Sequence, residues 1–370
     1  MKAATTVRAF TLTELLVVIA ILVILVLVGL PAFASVLYAS NRTVAENALR
    51  AGMSAARDAA VRNRVESAAV FFYEPGGRTI IVPCVRVGSV LDVDGAGASV
   101  ERSVFAPVGV IEPQQLPRGW MVRGYAPSGT LHSNTNRNYW YEPRPGRVHD
   151  ATEGSWVFPE TGFYGVDGGT ANDGNNRQTF MVRFEAGTGN VIVSDFGPAV
   201  VVSPRPSAVG RVALNRGVNA WQRPDVAENV SLWASRFLAR PSGAVPGGVT
   251  DIQRRQIIGN ESADTVLAGA VSLIALYDEQ KLASALGARG LNRVSGSLYL
   301  MPDETPPNRV GGSPDLDPQL FPGGLNAANV GRDIDLWLTG QLQRGGRFVE
   351  SDTVLLVFDT FTGQPREVKP

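Results

Sequence analysis

Phe10-Thr11-Leu12-Thr13-Glu14 is followed without a break by Leu-Leu-Val-Val-Ile-Ala-Ile-Leu-Val-Ile-Leu-Val-Leu-Val-Gly-Leu-Pro at residues 15–31, and the reading of this stretch decides the rest. No charged side chain occurs from Leu15 to Asn41, and residues 15–34 are apolar throughout, Gly29 and Pro31 included. About twenty helical residues rise about 30 Å, the thickness of a hydrocarbon core, so a membrane-spanning helix is expected within residues 10–34. A carboxylate at the centre of a bilayer costs about 2.5–3.5 kcal/mol on insertion scales. Glu14 is therefore expected either at the interface or beside a cation within the membrane.

Working outward, residues 1–9 carry Lys2 and Arg8 and no acid. The positive-inside rule keeps this end in the cytoplasm and sends the remainder outward. Two plainer readings compete. An ordinary secretory signal would use Ala32-Phe33-Ala34 as its cleavage site, but such signals have apolar cores of about 7–15 residues, and this one is longer. A simple uncleaved anchor is the other.

The series Ala9-Phe10-Thr11-Leu12-Thr13-Glu14-Leu15-Leu16 resembles the cleavage and methylation site of type IV prepilins and type II secretion pseudopilins. Pro31 stands where many pilins carry a helix-bending proline. The resemblance implies a leader at 1–9, cut between Ala9 and Phe10 by a prepilin peptidase, and N-methylation of Phe10. It also implies that Glu14 pairs with the Phe10 amine of a neighbouring subunit. Opposite charges attract strongly in low dielectric, whereas either alone is costly to bury. Ala9 departs from the family's usual Gly, and slower processing is expected.

Composition excludes several classes. Acids and bases balance at 34 each, net charge +0, which gives no electrostatic case for nucleic acid. Cys84 is the only cysteine, so no intramolecular disulfide can form. His132 and His149 are the only histidines, both in loop-like contexts, too few for the usual zinc or triad chemistry. Asp92-Val-Asp94-Gly and the Asp167 to Asp173 stretch resemble calcium loops without the closing Glu of an EF-hand, and acid-glycine turns are the expectation. No cofactor, no metal and no catalysis are expected.

After the span, residues 35–63 are expected to continue as an amphipathic helix. Leu37, Val44, Ala48, Ala55 and Ala59 fall in one arc opposite Arg42, Glu46, Arg50 and Arg57, with Glu46→Arg50 and Asp58→Arg62 in favourable i,i+4 order. This alanine-rich face is expected to be the spine of a globular domain at 64–370. Glu66–Tyr73 and Thr79–Val87, joined by Glu74-Pro75-Gly76-Gly77, predict a hairpin, with Pro83 placing its second strand at an edge or bulge. The helix-then-hairpin order is similar to the H-type minor pseudopilins.

Residues 88–178, rich in Gly, Pro and aromatics such as Trp120, Trp140 and Trp156, are expected to be an insertion of short strands and loops. Its aromatic cluster at 138–141 is expected to pack as core, a carbohydrate- or protein-contact surface being the alternative. Thr179–Phe184 and Val191–Phe196 around Gly187-Thr-Gly-Asn190 predict a second hairpin. Helical spacing predicts a core helix over Ser262–Leu286 and alternation a short strand over Ser297–Met301. Residues 302–331 form an expected loop, and a terminal strand is expected on the spine's sheet.

The sequence thus predicts an α+β protein, a long N-terminal helix packed on an antiparallel sheet with a large insertion. Functionally it predicts a non-enzymatic minor pseudopilin of a type II secretion pseudopilus or type IV pilus. Expected partners are the prepilin peptidase, other pilin or pseudopilin subunits and the membrane, crossed once, with the domain periplasmic or extracellular. The alternative is an anchored outward-facing binding domain that uses the same signal.

Overall fold

A computed structural model describes residues 12–74, 78–93, 99–109, 111–126, 155–157, 159, 180–192, 199–202, 265–293, 296–298, 316–324, 327–359 and 362–368. The protein is α+β, with helices and mixed sheets, and falls into two compact units, Met1–Glu46 and Asn47–Pro370.

The described part of the first unit is the N-terminal stretch of α1 (Leu12–Asn63). Glu46 pairs back to Arg42, whose Nε lies 2.9 Å from Glu46 Oε1, rather than forward to Arg50 as expected. Thr43 returns its hydroxyl to the Ala39 carbonyl at 3.0 Å, a local bond that spares the backbone ladder.

In the second unit, β1 (Ser67–Glu74) and β2 (Arg78–Val93) form the expected hairpin in register Phe71↔Ile81. β3 (Ser99–Pro107), β7 (Phe180–Phe184), β8 (Ala199–Val202) and β9 (Thr265–Ala270) join them in the order β1-β7-β9-β8-β3-β2, and because β1 also pairs with β2 the ring closes. The result is a six-stranded barrel, with β4 (Gln114–Gln115) added beside β2. Two pairs, β3–β8 and β7–β9, are parallel, so the expected purely antiparallel sheet is corrected to a mixed one. Alternation then sorts the side chains. Val70, Phe72, Val82, Cys84, Phe105 and Met181 fill the interior.

The outward residues of β1 and β2 take the end of α1. Ser67 donates its hydroxyl to the Ala56 carbonyl at 2.5 Å, and a Cβ on Gly52 would come within 2.7 Å of Ile81 Cγ2. Small residues do allow close approach, and Ala59 of the expected arc is buried, but most of the buried face is Leu49, Gly52, Met53, Ala56 and Ala60, turned about 100° from the arc that Leu37 and Val44 begin, both of which are exposed. Alanines lie on both arcs; the larger Leu49 and Met53, with the space above Gly52, decide between them.

Pro83 does not mark an edge, since β2 pairs on both sides. Its carbonyl accepts from Val108 N at 2.9 Å, so its missing N–H faces the gap where β3 has ended at Pro107 and β4 has not begun. The bulge lies further on, between Arg86 and Gly88.

A second sheet, fully antiparallel, runs β14-β13-β10-β5-β6, from β5 (Trp120–Ala126), β6 (Ser155–Val157), β10 (Leu273–Asp278), β13 (Val354–Phe358) and β14 (Pro365–Val368). One face meets the barrel: a Cβ on Gly124 would sit 2.8 Å from the Phe180 ring, itself stacked on Phe71 at 4.8 Å between centroids. The other face takes α2 (Glu279–Ala285) and α3 (Ala327–Leu338), packing Met121, Ala275 and Tyr277 against Leu282, Ile334 and Trp337.

Several expectations are corrected here. The helix expected over Ser262–Leu286 is instead β9, a bend at Val271–Ser272, β10 and only then α2. Ile274, Ala275, Leu276 and Tyr277 are all buried because β10 is covered on both faces, which erases the period of two and leaves a run that helical spacing also fits. The boundary drawn at 88 falls inside β2, while β3 and β5 belong to the two main sheets and not to an insertion. Of the strand expected over Ser297–Met301, Ser297 and Leu298 form a bend and residues 299–301 lie outside the described residues, and the 302–331 loop contains the first residues of α3. The terminal strands β13 and β14 lie in the second sheet, not in the one that α1 packs on.

A short hairpin of β11 (Gln343–Arg344) and β12 (Arg347–Phe348) turns through Gly345 and Gly346, both at positive φ. Arg64, just past α1, is the one non-glycine at positive φ among the described residues, at 52°. Glycine is the usual occupant of that left-handed cap. Arg64→Gly is expected to raise stability by roughly 0.5–1 kcal/mol, the left-handed penalty of about 1–2 kcal/mol less the entropy glycine returns to the unfolded chain. A urea midpoint unchanged or lowered would contradict this.

Candidate functional site

Of the residues singled out in the sequence, Ala9 and Phe10 lie outside the described residues. So do His132, His149, Asp94 and the Asp167 to Asp173 stretch, together with the aromatics at 138–141. Asp92 lies in β2. Glu14 is exposed in the first described turn of α1, and Pro31 falls within the same helix.

The side chains that follow Glu14 define the site. Leu15, Leu16, Val17 and Val18 are 56, 62, 54 and 46% exposed, and consecutive residues at 100° steps sample every side of a helix. The pattern continues through Ile21, Leu22, Ile24, Leu25 and Leu27, so this stretch is apolar all round and exposed all round. Among the described residues no helix is long and apolar enough to cross a membrane. The unbroken run of described side chains ends at Leu27, about 24 Å of helix from Leu12, and picks up again at Leu30 and Phe33. An apolar surface of this extent calls for a nonaqueous environment or a protein partner.

Elsewhere the polar groups hold the fold together. Arg183, buried, donates from Nε to Glu66 Oε1 at 2.5 Å, and Arg86 approaches the other carboxylate oxygen at 3.6 Å. The Arg183 guanidinium lies 5.5 Å from the centroid of the Phe105 ring. Arg123, also buried, donates to the Tyr277 hydroxyl at 2.9 Å, and Tyr277 meets Trp337 edge-on at 6.1 Å. Glu279 Oε1 accepts from the Ser297 hydroxyl at 2.9 Å and from Leu298 N at 3.2 Å, pinning the 296–298 bend to α2. None of these clusters was found from sequence. The only signal is a charge in an otherwise apolar strand, as at Arg123 and Arg183, which does not name a partner.

Among the described residues no group of three or more His, Cys, Asp or Glu could hold a metal ion. Cys84 lies inside the barrel, and burial pushes its thiol well up from the ordinary value of 9.0. A raised value means the folded state keeps the thiol neutral while the unfolded chain ionises as pH climbs past that ordinary value. Its contribution to stability is thus complete at neutral pH and is lost in alkali. Native protein is expected to resist iodoacetamide at mildly alkaline pH and to react once unfolded. Rapid labelling of the native form would show the barrel to be open at this position. In comparisons with known proteins, no family model, no curated protein and no solved structure matches this chain.

Proposed function

We propose that the chain is a prepilin-like minor pseudopilin, a structural subunit of a type II secretion pseudopilus or a type IV pilus, processed at Phe10. One observation carries the reading: α1 is apolar and exposed on every side directly after Glu14, itself four residues beyond the cleavage motif at Ala9-Phe10. The apolar run in the sequence, residues 15–34, is long enough for one membrane span of about 30 Å. On this reading the helix rests in the cytoplasmic membrane with residues 1–9 inside and the barrel unit outside. It leaves the bilayer for a filament in which neighbouring helices take the place of lipid. Glu14 then meets the Phe10 amine of a neighbour and sets the register between subunits. A unit as large as Asn47–Pro370 favours a minor or terminal position over a repeated one.

The test is the intact mass and N-terminal sequence of protein from native membranes, with and without prepilin peptidase. A chain beginning at N-methyl-Phe10 only when the peptidase is present is expected. A start at Met1 under both conditions would make it a plain anchor, and a start near Ser35 a secreted domain; either overturns the proposal.

A further inference from the structure

We draw no further inference here: the strongest candidate, the buried Glu279 carboxylate at the start of α2, whose Oε2 has no hydrogen-bond partner among the described residues, has its Oε1 already held by Ser297 and Leu298, and nothing in the structure shows a ligand that could reach it.

Discussion

Glu66→Ala is expected to destabilise the Asn47–Pro370 unit by about 3–5 kcal/mol, the cost of removing one member of a buried ion pair. Arg183 is only 3% exposed and Glu66 is its ion-pair partner at the point where α1 hands over to β1, so the loss leaves a positive charge inside protein with much of its compensation gone. Arg86, half out in solvent, regains its hydration and adds little. The companion variant Glu66→Leu with Arg183→Met separates the charge from the site's packing. Removing both members of a buried pair is often neutral or stabilising, so it should recover most of the loss. The measurement is the urea unfolding midpoint of all three proteins. A single variant within about 1 kcal/mol of the parent would mean that the pair behaves as an exposed one.

The second large effect belongs to Glu14. Glu14→Ala is expected to leave membrane insertion intact, since removing a carboxylate can only lower the insertion cost of about 2.5–3.5 kcal/mol that applies at mid-bilayer. The same change should abolish co-purification with partner subunits. The reading requires a specific anion to meet the Phe10 amine in low dielectric, and without it that amine is left unpaired among apolar helices. Glu14→Gln is the sharper variant, because it keeps the shape and loses the charge. Unchanged co-purification of either variant would sink the register role while leaving the N-terminal mass experiment to decide processing independently.

The two parts of the molecule were legible in the sequence to very different degrees. The hairpin β1–β2 was legible because both strands are β-rich and the turn-forming sequence Pro-Gly-Gly stands between them. β10 was not, because the barrel covers one side of its sheet and α2 and α3 the other, so Ile274 through Tyr277 carry no polar alternation to read. The face of α1 was missed for a different reason. Alanine is small enough to lie on either arc, and the deciding feature, Ile81 filling the space over Gly52, exists only once β2 is in place. Ring closure was equally invisible, since it depends on β7 and β9 pairing in parallel across more than eighty residues of chain. The N-terminal pattern, a basic start, a Phe, a Glu and an apolar run, can be read without any tertiary contact because it is linear, and the structure adds to it only that the side chains after Glu14 are exposed on every side.

Closure of the barrel has a consequence for any protein that works in many copies packed side by side. An open sheet edge offers unpaired N–H and C=O groups to whatever strand comes near, and at the local concentration of a polymer that neighbour is another copy. Joining β1 to β2 leaves the ring without such an edge. Among the described residues, the two ends of the second sheet are the three-residue β6 and the four-residue β14, and β14 carries Pro365, Arg366 and Glu367. The shortness of β6 and the proline and charges of β14 discourage stray strand addition. If the chain is the filament subunit proposed above, its sheets would stay indifferent to crowded neighbours, which would keep ordered polymerisation apart from aggregation.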